Sequence, residues 1–198
     1  MNYHAEKGEA GESYVYEVAE DVLRSLGIPY RMVQNVIMPF ESVFGTGTQN
    51  ELTAEYDIVV FTPFFVFLFE VKNETYISCC YTERLWALMN GVEVSNPITQ
   101  NQVHKAVFCS QMNIPRERVI TIEVLLENGW EGAGRTGCQT QFANDYVLGK
   151  EHLRECLRKI FGYFVCDKKF NVANCCNHFS NLTSVCLTHE KSLETPIK

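Results

Sequence analysis

Nine residues, FFVFLFEVK (64–72), constrain this chain more than any others. Seven of them are apolar and they do not alternate with polar ones, so the segment cannot be a strand with one wet face. It reads as a central strand buried on both sides. Yet it ends in Glu70 and Lys72. Successive side chains of a strand alternate, so these two charges point the same way. Burying such a pair costs on the order of several kcal/mol per ion unless partners compensate. A fold that keeps them must supply those partners.

The preceding strand-like segment, 52–61, offers one. Asp57 interrupts it just before Ile58-Val59-Val60, and Thr62-Pro63 marks a turn between the two segments. If they form a hairpin there, residues near 57 and 70 lie almost opposite, and Asp57, Glu70 and Lys72 converge. Glu-x-Lys alone is a weak motif, and an ion pair at the rim of a sheet would also explain it.

Two helices add polar groups to this strand pair. Residues 8–26 carry Val15, Val18, Ala19, Val22, Leu23 and Leu26 at three- and four-residue steps, one apolar stripe ended by Gly27 and followed by Pro29. Six acids fall between Glu6 and Asp21. By helical phase Glu12 lies at the edge of the stripe, Glu9 is intermediate, and Glu17 and Glu20 face outward. Asn96-Pro97 starts a second helix, with Asn as cap and Pro in the first turn, running to about Met112. On it Gln100 shares a face with Val103 and Val107 and is expected to look toward the sheet. His104 follows one turn later, as a structural histidine more readily than a base.

The remaining elements are a strand at 30–38, a fourth short one at 76–79, a strand at 119–126, a loop over 128–141, a strand at 145–148 and a helix over 150–161. The order is helix, three strands, helix, strand. It predicts an α/β fold with a mixed central sheet flanked by helices. A domain is expected over 1–165 and a Cys-containing tail over 166–198.

Hydrolysing a phosphodiester requires an activated water and a charged transition state made tolerable. A divalent cation on two or three carboxylates serves both needs. Mg²⁺ (or Mn²⁺) takes oxygen ligands and keeps several waters, so Asp57, Glu70 and Glu12 are the expected metal set. Lys72 would position or deprotonate water, or steady developing charge. The net charge of −7 excludes a large basic coat for nucleic acid. It does not exclude a nuclease, because a bound cation offsets the acids locally.

The stretches KGEAGESYV (7–15), ELTAEYDIVVFTP (51–63), VFLFEVKN (66–73), Trp86 and NPITQNQVHKAV (96–107) together resemble the nuclease-related domain family. That family is a branch of the Asp…Glu-x-Lys, restriction-endonuclease-like superfamily. The later VITIEVLLEN and DYVLGKEHLRECLRKI extend the resemblance to about residue 161. It implies a restriction-endonuclease-like core and metal-dependent cleavage of DNA, with RNA left open. It also implies catalytic roles for Glu12, Asp57, Glu70, Lys72 and Gln100. The chain has Phe65, and Glu74-Thr75-Tyr76, where the family usually has glycines.

Two other readings stay open: a non-catalytic nucleic-acid or protein-binding module retaining the nuclease fold, and a small zinc-stabilised interaction protein. For the latter, Cys166, Cys175, Cys176, Cys186, His178 and His189 could supply ligands, but no Cys-x-x-Cys pair occurs there. The N-terminus has no apolar signal segment and no apolar run is long enough to span a bilayer. A cytoplasmic protein with reduced thiols and no membrane partner is therefore expected.

Overall fold

A computed structural model describes residues 3–40, 52–74, 76–78, 84–88, 90–127, 138–139, 144–165 and 187–188. The candidate zinc ligands of the C-terminal segment lie outside the described residues.

Helix α1 (Tyr3–Ser25) buries the stripe predicted for it: Val15, Val18, Ala19, Val22 and Leu23. It stops where Gly27 turns left-handed (φ 65°) and the Ile28 N–H bonds back to the Leu23 carbonyl. This is the Schellman closure, which a side chain at Gly27 would strain. The strands β1 (Arg31–Phe40), β2 (Leu52–Phe61) and β3 (Val66–Lys72) follow as an antiparallel meander. The turn into β3 manages without glycine. The Thr62 hydroxyl accepts from Phe65 N–H (3.1 Å) and donates to the Phe65 carbonyl (2.8 Å). Phe65 is thereby free to pack on Phe164, ring centroids 4.8 Å apart.

Three short strands, β4 (Tyr76–Ser78), β5 (Leu85–Leu88) and β6 (Glu93–Ser95), form a separate small sheet. Helix α2 (Pro97–Met112) starts as expected, with the Asn96 side chain accepting from Ile98 N–H. Strand β7 (Val119–Leu125) then runs parallel to β3, and β9 (Asp145–Gly149) parallel to β7. Between them β8 (Cys138–Gln139) pairs with β9, inside a segment expected to be loop. The predicted helix over 150–161 is a 3₁₀ turn at Lys150–His152 leading into α3 (Leu153–Val165). Strand β10 (Leu187–Thr188) pairs with β1. Strands of two to four residues carry too little periodicity to be read from sequence, which is why β5, β6 and β8 escaped.

The large sheet has the order β10-β1-β2-β3-β7-β9-β8 and is mixed, with β3 at its centre. Helices α1 and α3 cover one face, on Ile58, Val60, Phe67, Phe69, Ile120, Ile122 and Val124. Helix α2 covers the other through Phe108 and Met112, on Val59, Phe61, Val66, Leu68 and Val119. Trp86 from β5 joins Ile98, Leu125 and Val147 on that second face. FFVFLFEVK is therefore buried on both sides because each face of the sheet has its own helical layer. No helix among the described residues is long and apolar enough to cross a membrane.

α1 approaches the C-terminal end of β3 closely at Gly11. A Cβ there would sit 2.8 Å from Leu126 Cδ1 and 3.2 Å from Asn73 Nδ2, whereas one at Gly8 would meet nothing within 4 Å. Gly8→Ala is expected to stabilise the fold by about 0.5–1 kcal/mol through helix propensity. Gly11→Val is expected to destabilise it by about 1–3 kcal/mol through overpacking. Urea denaturation of both variants measures the contrast, and a Gly11→Val protein as stable as the parent would refute the close approach.

Candidate active site

The site begins where β2 and β3 part. Their ladder ends at Ile58↔Phe69, and the Val71 N–H, beyond the last pair with β2, donates to Asp57 Oδ2 at 2.6 Å. The alternation of β2 also breaks here. Tyr56 packs beneath α2 while Ile58 packs beneath α1, although strict alternation would put both on one face. Opposite Asp57 on β1, Asn35 takes a left-handed conformation (φ 52°), and the pairs on either side are Gln34↔Ile58 and Val36↔Tyr56. A local twist of this kind re-aims a side chain. It lets the Asp57 carboxylate enter the gap between the strands.

Glu70 lies next to it. It is 4% exposed, and its Oε1 accepts from Lys72 Nζ at 2.5 Å. Its Oε2 faces His104 Nδ1 at 3.7 Å. The Asp57 carboxyl is held well above the usual carboxylate range, by burial first and by the Glu70 charge second. The Val71 N–H and Lys72 oppose this, and Glu12 adds to it. Burial pushes the Lys72 ammonium down, but Glu70, Asp57 and Glu74 outweigh that and leave its proton held more tightly than usual. Burial lowers the proton affinity of His104, with Glu70 only partly offsetting it.

Glu12 reaches the site from α1, half-buried beside the Gly11 contact. Its carboxyl is raised by burial and then by Glu55, Glu9 and Glu70. Glu17 is exposed as expected. Glu20 is not simply solvated: it is half-buried and accepts from Arg24 (2.7 Å) and Tyr30 (2.9 Å). Among the described residues no three His, Cys, Asp or Glu side chains form a group able to hold a metal ion. Glu12 thus joins Asp57 and Glu70 as a charge rather than as a completed third ligand.

Gln100 occupies the first turn of α2, half-buried and one turn from His104. The face expected to carry it toward the sheet is turned, since Val103 is 49% exposed. The buried face instead carries Ile98, Asn101, His104, Lys105, Phe108 and Met112. The reason lies beneath it. β7 and β9 present Thr121, Glu123 and Asp145, all fully buried, to α2. Asn101 Nδ2 donates to Glu123 Oε1 at 3.0 Å, Thr121 Oγ1 donates to Asp145 Oδ1, and burial lowers the proton affinity of Lys105 while the Asp145 charge opposes that. Buried acids recruited the polar residues of the helix, and an apolar stripe was the wrong guide. Glu123 stands beside Glu70 in register. The signal was present in VITIEVL, where Thr121 and Glu123 interrupt an apolar strand two residues apart.

The family model for the nuclease-related domain matches residues 7–126, from the start of the α1 motif to just past β7. The chain belongs to the nuclease-related domain family, a PD-(D/E)xK-like nuclease family, and its mixed sheet between helical layers is restriction-endonuclease-like. The matched region contains Glu12, Asp57, Glu70, Lys72 and Gln100, while β9 and α3 lie beyond it. No curated protein and no solved structure matches the chain.

Glu123 gives a pH test of the buried network. Burial, then the adjoining Asp145, raises its carboxyl well above the usual range. A raised acid stabilises the fold below its unfolded-state pKa and loses that contribution as pH climbs through the folded value. Glu123→Gln should therefore melt higher than the parent, with a gain that is larger at pH 8 than at pH 5. Each 1 kcal/mol moves the melting point by roughly 2–4 °C in a domain this size. A gain independent of pH, or a loss at pH 8, would contradict the shared burial of the two acids.

Proposed function

We propose that this protein is a divalent-metal-dependent nuclease that hydrolyses phosphodiester bonds in DNA. The observation that carries the reading is the placement of Asp57 beside Glu70 where β2 and β3 part, with Glu12 within electrostatic reach and Lys72 paired to Glu70. The carboxylates' mutual repulsion is an excess of negative charge that a cation would relieve. The donors are hard oxygens, which suits Mg²⁺ or Mn²⁺. Asp57 keeps Oδ1 clear of the Val71 bond, and Glu70 keeps Oε2 clear of the Lys72 pair. These two carboxylates would hold the ion, with Glu12 adding charge and water and phosphate oxygens completing the set. A bound ion supplies positive charge to the phosphate and makes water more acidic.

The chain's own groups do the rest. Lys72, paired with Glu70 at the mouth of the strand gap, orients water or steadies developing negative charge. Gln100, at the start of α2, is assigned to the substrate side of the cleft, one turn before His104. RNA is a second substrate to be tried. A cytoplasmic setting without a membrane partner belongs to the same proposal. The net charge of −7 favours one competing reading, a non-catalytic binding module that retains the fold.

Asp57→Asn keeps the shape and removes a ligand charge, so it should weaken Mn²⁺ binding and abolish cleavage together. Lys72→Ala should bind Mn²⁺ as well as the parent or better, because a repelling charge is gone. Its cleavage should still fall by about a hundredfold or more. Calorimetric titration beside assays on supercoiled, linear and single-stranded DNA, with Mg²⁺, Mn²⁺ or EDTA, reads both. A parent protein that binds no divalent ion and cuts no nucleic acid would replace the enzyme with the binding module.

A further inference from the structure

Lys72 holds one oxygen of Glu70, and the other faces an imidazole. His104 Nδ1 lies 3.7 Å from Glu70 Oε2. The residue is 8% exposed, and this nitrogen is buried without a hydrogen-bond partner. A histidine buried only for packing would be expected to satisfy its ring nitrogens on nearby backbone or side chains. This one is aimed at a carboxylate instead.

Its position is fixed from elsewhere. The Tyr56 hydroxyl donates to the His104 carbonyl at 2.9 Å, and the two rings meet at 5.4 Å with a 57° tilt. Tyr56 is itself held edge-on by Phe108, one turn further along α2, at 5.6 Å. The twist of β2 at Asp57 brings Tyr56 to this face, so the same local feature sets the Asp57 carboxylate and the His104 ring. An approach of about 0.8 Å would bring Nδ1 within ordinary hydrogen-bond range of Oε2.

We propose that His104 is a positioning residue for Glu70: its Nδ1–H donates to Oε2, and with Lys72 on Oε1 it fixes the carboxylate plane toward Asp57. The role in catalysis rests on the nuclease reading above; the hydrogen bond itself does not. Partners that orient a metal-ligating group typically matter by about 10–100-fold.

The test has a spectroscopic half and a kinetic half, both on the full chain. In ¹⁵N-labelled protein, long-range proton–nitrogen spectra assign the tautomer of His104, identified by the signal missing in His104→Asn. The parent should show the Nδ1-protonated form, and Glu70→Met, which removes the acceptor, should lose it. An Nε2-protonated ring in the parent, or an unchanged ring in Glu70→Met, overturns the proposal. In DNA cleavage, His104→Phe keeps a packed ring and should lower kcat by about 10–100-fold with little change in KM. His104→Asn restores a donor near the Nδ1 position and should recover most of that loss. A fully active His104→Phe, or an Asn variant as impaired as the Phe variant, overturns it. If the parent cuts nothing, the nuclease reading fails while the tautomer still decides the Glu70 contact. Thermal melts of both variants exclude misfolding as the cause.

Discussion

A single backbone donor organises the candidate site of this molecule. When β3 runs on past the end of its ladder with β2, the Val71 N–H faces a gap, and an unpaired buried N–H costs about 1–3 kcal/mol. The Asp57 carboxylate fills that role at 2.6 Å. The bond satisfies the backbone, yet it also pins a carboxylate between two strands, next to Glu70. Everything nearby answers to that placement: Lys72 closes on Glu70, Asn35 bends β1 opposite, and Tyr56 is turned under α2.

The acids continue across the sheet. Glu70 is in register with Glu123, and Asp145 lies on the next strand beside Thr121. Placing such groups beneath a helix is expensive unless each finds a partner. α2 answers with polar groups: Asn101 donates to Glu123, Lys105 feels the Asp145 charge, and His104 faces Glu70. A merely hydrophobic helix could cover β2 and β3 through Phe108 and Met112, but it could not cover this half of the sheet. The split in α2 between a polar N-terminal half and an apolar C-terminal half follows from what lies under each.

On the opposite face, α1 does simpler work. Its apolar stripe seals the core over β3 and β7, and Gly11 allows the helix to lie against Asn73 and Leu126. That approach is what puts Glu12, the next residue, within electrostatic reach of Glu70 and Asp57. A bulkier residue at position 11 would lift the helix and take the carboxylate away with it.

The sequence by itself determined the order of the long elements, the buried centre at β3, and the hairpin that sets Asp57 beside Glu70. Those follow from short-range physics: apolar periodicity, turn chemistry at Thr62-Pro63, and a two-residue alternation that aims Glu70 and Lys72 together. It also aimed Glu12 inward by helical phase. Only the tertiary structure decided which face of α2 is buried, because that choice is made by Glu123 and Asp145, residues distant in sequence, and not by the pattern of the helix. Likewise Glu20 was turned from a solvent position by Tyr30, across a helix end. The Val71–Asp57 bond and the twist at Asn35 were invisible for the same reason. They exist only where three strands meet, and no local window of sequence contains all three.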